Sequence, residues 1–132
     1  MPRARSNKAV VLVSDWYVES DISDGGFAEA AADAIYASIV ELDRQTGGKF
    51  VAPAGGHGQA TYTQGSLLQS PLHFIGHSRG TVVNSEIIQR LGFYKVVESG
   101  IHMTTLDPHD FDQKSLDIPV GKALSNIKSV AD

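Results

Sequence analysis

Apolar positions along the chain fall into short runs that alternate with longer stretches of helical spacing. Val10-Val11-Leu12-Val13 is a β-branched run ending at Ser14-Asp15, and it predicts a strand buried on both faces, as in a parallel sheet. Residues 17–26 are acidic and close on Gly25-Gly26, which reads as a loop. From Phe27 to Gln45 the period changes. Phe27, Ala31, Ala34, Ile35, Ile39 and Leu42 share one helical face, Ser23 or Asp24 is placed to cap the start, Glu29 lies in the first turn, and Gly47-Gly48 supplies a stop. A second short strand is expected over 49–53. A glycine-rich loop follows over 54–66, with a weak helical turn at 66–68. Leu72-His73-Phe74-Ile75 predicts a third strand and residues 79–91 a second helix, with Val82, Val83, Ile87 and Leu91 on one side and Gly92 as its stop. Residues 101–106 predict a fourth strand. A last helix is expected over 119–130, with Val120, Leu124, Ile127 and Val130 in register.

Strands alternating with helices predict an α/β chain: a mostly parallel sheet of about four strands flanked by helices. Its 132 residues correspond to one domain, of which residues 1–8 are polar and expected to be frayed. Hydrophobic residues make up 42% and charged residues 20%, so a chain of this length can bury a core. The formal net charge is −4, and the basic residues Arg3, Arg5 and Lys8 form no extended patch, which argues against a nucleic-acid partner. No apolar run approaches the length of a membrane span. No apolar segment of signal-peptide type follows the basic N-terminus, so the cytoplasm is the default expectation. The chain has no cysteine, which removes a thiolate metal site and a Cys nucleophile.

Gly76-His77-Ser78-Arg79-Gly80 fits G-x-S-x-G. The pattern alone is unspecific, but here it follows an apolar run and opens an amphipathic helix, the context the motif requires. A strand that reverses into a helix within one residue holds Ser78 in a strained conformation. Gly76 and Gly80 would let the strand and helix approach, and the Arg79 N–H would sit at the helix N-terminus, able to donate to a developing oxyanion. The competing reading is a glycine-bracketed helix start with Ser78 as an ordinary cap.

Residues 70–80 resemble the strand and nucleophile elbow of the α/β-hydrolases, in particular lipases and esterases. Thr104-Thr105-Leu106-Asp107-Pro108 is similar to the Leu-Asp-Pro segment of pancreatic-type lipases, and that resemblance makes Asp107 the acid of a catalytic triad. Val51-Ala52-Pro53 with Gly56-His57-Gly58 is similar to the loop after the family's strand 4, although the usual aspartate after the proline is Ala54 here. Residues 11–16 resemble either the family's strand 3, whose loop would offer the N–H of Asp15 or Trp16 as a second oxyanion donor, or the Val-Asp-Trp of strand 4. The first gives four contiguous strands in the family's order 4-3-5-6 and is preferred, since the second leaves a hole with unpaired backbone.

The resemblance covers residues 9–110, so the chain looks like the central portion of a hydrolase. It departs from the family in one critical respect: the catalytic histidine comes late there, and no histidine follows His109 here. His109 and His57 both fall in loops at the correct end of the sheet and are the candidate bases. His73 and His102 read as core or sheet-packing residues, and His77 as structural, facing away from the nucleophile. Arg79 could also meet an anionic substrate group. Asp107, Asp110, Asp112 and Asp117, like Asp15, Glu19, Asp21 and Asp24, read as solvated acidic loops rather than calcium ligands. The resemblance implies a serine hydrolase acting on small-molecule or lipid esters through an acyl-enzyme, with no cofactor and no metal. The other class open to it is a non-catalytic hydrolase-like domain. Unpaired sheet edges make self-association plausible.

Overall fold

The computed structural model describes residues 8–15, 26–97, 100–108 and 130–131. Helix α1 (Phe27–Gln45) is followed by strands β1 (Lys49–Val51) and β2 (Thr61–Thr63), strand β3 (Leu72–His77), helix α2 (Arg79–Phe93), strand β4 (Ile101–Leu106) and the short strand β5 (Val130–Ala131). The class is α/β, but the strands divide into two sheets. β3, β4 and β5 form a parallel sheet in that order, and β1 and β2 an antiparallel pair.

The hairpin overturns the expectation that residues 49–53 join one parallel sheet. Nine residues separate Val51 from Thr61, fewer than the dozen or so a parallel crossover needs, so the returning strand can only run antiparallel. Residues 10–13 also depart from expectation. They carry no regular secondary structure, and Val10, Val11, Leu12 and Val13 are 53 to 87% exposed instead of buried on two faces. β-branching favours an extended backbone, but a strand needs a partner edge. The order 4-3-5-6 is therefore not what the described strands form. The last expected helix lies outside the described residues except at Val130, which pairs with Ile101 in β5.

α1 keeps the bounds its spacing predicts, with a shifted face. Ala28, Ala32 and Val40 are buried while Ala34 and Leu42 are exposed, and Gly26 at φ 89° opens the helix with no side-chain cap. Ser23 and Asp24 lie outside the described residues. α2 runs through Gly92, which is buried within it, and Lys95 at φ 53° ends the turn beyond. α2 packs on β3 and β4 with one side and on α1 with another. Val83, Ile87, Ile88 and Leu91 share a core with Ala28, Ala32, Val40 and Ile101. Arg90, 1% exposed, ties the helices by donating to Asp33 of α1 and to Glu86 of its own helix.

Among the described residues only one face of the parallel sheet is covered. Leu72, Phe74 and Met103 pack toward the core, while His73, Ile75, His77, His102 and Leu106 are exposed on alternate positions. His73 and His102 are accordingly surface residues and not core. Their rings stack at 4.3 Å, and His73 Nε2 lies 2.8 Å from Thr104 Oγ1. No helix among the described residues is long and apolar enough to cross a membrane.

Candidate active site

The parallel register pairs His77 with Leu106, so the residues just past the two strand ends are Ser78 after β3 and Asp107 after β4. Both have left-handed φ, 51° at Ser78 and 47° at Asp107. Aspartate tolerates that region better than most residues. Serine at φ 51°, ψ −122° does not sit in a favoured well, and such conformations cost about 1–3 kcal/mol each. They persist only where the surroundings fix them.

The surroundings of Ser78 do this on both sides. Its N–H donates to the Leu106 carbonyl at 2.9 Å, and its own carbonyl accepts from the Thr81 N–H at 3.0 Å and the Thr81 hydroxyl at 2.7 Å. β3 therefore ends, and α2 begins, within one residue. Gly76 makes the turn possible: a Cβ there would stand 2.7 Å from the Gly80 carbonyl oxygen and 2.8 Å from Asn84 Nδ2. Gly80 differs from the motif's expectation, because a Cβ at that position meets nothing within 4 Å. The close approach is made by Gly80's backbone and met by the bare Gly76.

Ser78 occupies the N-cap position of α2 but makes no side-chain capping bond, and its φ/ψ lie outside the extended region an ordinary cap adopts. Both observations weigh against Ser78 as a plain cap. Ser78 and Arg79 are half-buried, Asp107 is exposed, and the Arg79 N–H belongs to the first residue of the helix, at the positive end of its dipole.

Strand order brings together Ser78, Arg79 and Asp107. His57 does not stand at a strand end of that sheet: it lies exposed on the connection between β1 and β2, beyond the turn Ala54–Gly56. Asp15 is exposed in the 8–15 segment, which has no regular secondary structure, and not at a strand end beside Ser78. His77 points to the exposed face of β3. His109, Trp16, Glu19, Asp21, Asp24, Asp110, Asp112 and Asp117 lie outside the described residues. Among the described residues no histidine hydrogen-bonds to Ser78 or Asp107, and no group of three His, Asp or Glu side chains is arranged to hold a metal ion.

Sequence reasoning missed Thr81. The available signal was a threonine three residues after the elbow serine, where its hydroxyl can turn back onto the chain at the helix start. The role of the Leu106 carbonyl carried no sequence signal, since any residue has that group. The chain matches no protein-family model, no curated protein and no solved structure.

Proposed function

We propose that this chain is a serine hydrolase that cleaves carboxylic esters, with Ser78 as nucleophile. The observation that carries the reading is the backbone of Ser78: left-handed φ between a parallel strand and a helix, with a hydroxyl that caps nothing. In the proposed reaction Ser78 Oγ attacks the ester carbonyl carbon while a general base takes its proton. The Arg79 N–H donates to the tetrahedral oxyanion. The intermediate collapses to an acyl-serine, the alcohol leaves with the proton from the base, and water repeats the sequence to release the acid. Asp107, on the neighbouring strand end, orients the base. His109 is the first candidate for that base and His57 the second. The substrate is a small-molecule or lipid ester, and no cofactor takes part.

The second reading is a hydrolase-like domain without turnover. It is favoured by one observation: no histidine among the described residues bonds to Ser78 or Asp107. A serine without its base loses several orders of magnitude in rate. The two readings separate on hydrolysis of p-nitrophenyl acetate and butyrate by this chain beside Ser78→Ala, both checked for folding by circular dichroism. Turnover at least 100-fold above the variant supports the hydrolase, and His109→Ala and His57→Ala then identify the base. Equal rates from two folded proteins would sink it in favour of the second reading. β3 has no strand partner on its outer edge among the described residues, and that edge is the proposed route to self-association.

A further inference from the structure

We infer that Thr81 is a positioning residue for the oxyanion donor: its hydroxyl sets the direction in which the Arg79 N–H points. The inference rests on the proposed role of Ser78 and adds a residue to it.

The carbonyl of Ser78 and the N–H of Arg79 belong to one peptide plane. No described peptide bond is cis, so the two groups point in opposite directions within it. Whatever grips the Ser78 carbonyl therefore aims the Arg79 N–H. Thr81 grips it twice, through its N–H at 3.0 Å and its hydroxyl at 2.7 Å. The amide bond is open to any residue other than proline at that position. The hydroxyl bond is shorter and specific to threonine or serine. Thr81 is 5% exposed, so little water reaches the pair to compete for the carbonyl.

The other plane at Ser78 is held independently, by its N–H on the Leu106 carbonyl at 2.9 Å. Rotation about φ swings the 77–78 plane and rotation about ψ swings the 78–79 plane. Leu106 tethers the first and Thr81 the second, so together they fix φ 51° and ψ −122°. Loss of the Thr81 hydroxyl leaves the Thr81 amide alone on that carbonyl and loosens ψ, which lets the Arg79 N–H drift from its line while leaving Ser78 and the base in the chain.

Thr81→Val removes the hydroxyl at nearly constant volume and keeps the amide bond, so the Ser78 carbonyl stays paired and the chain is expected to fold. Thr81→Ser restores the hydroxyl. The measurement is the second-order rate at which a fluorophosphonate labels Ser78, where the Ser78 Oγ–P bond forms, the P–F bond breaks, and the serine proton passes to the base. Alongside it, kcat and KM are measured on the p-nitrophenyl ester. Thr81→Val is expected to label about 10- to 100-fold more slowly, with kcat reduced and KM near its original value, and Thr81→Ser to recover to within about threefold. Equal labelling of wild type and a folded Thr81→Val overturns the positioning role.

A thermal cycle tests the clamp without activity. Ser78→Gly relieves the strained φ and is expected to raise Tm. The gain should shrink when Thr81→Val has already let ψ relax. Identical gains in both backgrounds refute the clamp. A wild type that never labels refutes the hydrolase reading and the catalytic role with it, and leaves the clamp to be judged by the cycle alone.

Discussion

Gly76 and Gly80 look equivalent in a G-x-S-x-G pattern, and the structure gives them opposite roles. A side chain at Gly76 meets the Gly80 carbonyl and Asn84 at under 3 Å, and the nearest of those atoms is backbone that cannot swing aside. Gly76→Ala should therefore destabilise by about 1–3 kcal/mol, as overpacking does. Gly80 is helical and has open space where its Cβ would be. Gly80→Ala should be neutral, or stabilising by up to about 1 kcal/mol through helix propensity. Urea denaturation of the two variants checks the contrast, and a large loss at Gly80 would mean that the helix start is tighter than its geometry implies. The motif was legible because strand, serine and helix follow one another in sequence. Which glycine is obligatory was not, because that depends on how α2 leans on β3, a distance no spacing encodes.

At the scale of elements, α1 was readable from its period, but its partner was not. Asp43 looks in sequence like a solvated residue near a helix end. In the fold it is fully buried, and its carboxylate accepts from the Tyr62 hydroxyl at 2.7 Å, the Gly65 N–H at 2.7 Å and the Leu68 N–H at 2.9 Å. One side chain on α1 thus fastens both the hairpin and the turn that leads into β3. Three unpaired donors would remain after Asp43→Ala, so that change should cost about 3 kcal/mol or more.

The same contact makes the hairpin sensitive to alkali. Burial and the bond to Asp43 push the Tyr62 hydroxyl well above its usual value, because ionising it would set two negative charges together. Burial, and then Tyr94, push Tyr36 up to about 12. A group whose pKa is raised by folding stabilises the folded chain fully below its unfolded value, near 10, and loses that contribution as pH climbs toward the folded value. Stability should hold through neutral pH and fall between about pH 10 and 12. Tyr62→Phe should reduce that slope while lowering stability at pH 7 by about 1 kcal/mol. A denaturation series from pH 8 to 12 measures both, and an unchanged slope in the variant would remove Tyr62 from the account.

On the scale of the whole molecule, what the sequence could not announce is that strand-like runs go unpaired. Val10–Val13 has the composition of a parallel strand, yet it is exposed, and β3 has no neighbour on its outer edge among the described residues. Pairing is a property of two segments, so a run on one of them underdetermines it. The hydrogen bonds locate the open groups. Leu72 and Ser78 donate toward β4, at the Gly100 and Leu106 carbonyls. In a parallel strand the intervening odd positions then face the other way, so the N–H and C=O of His73, Ile75 and His77 line the free edge. Ile75, 63% exposed, adds an apolar side chain at its centre. Such an edge recruits another strand unless charge or a bulge blocks it, and no charged side chain interrupts residues 72–76. The mass measured by light scattering should therefore rise above the 14.1 kDa of one chain as concentration increases. Ile75→Lys, placing a charge on the edge strand, should return it toward that value, and Val11→Lys should do so only if the exposed N-terminal run supplies the pairing strand. A single-chain mass for the wild type across the whole concentration range would mean that the edge is already satisfied within the molecule, and neither lysine would then change the mass.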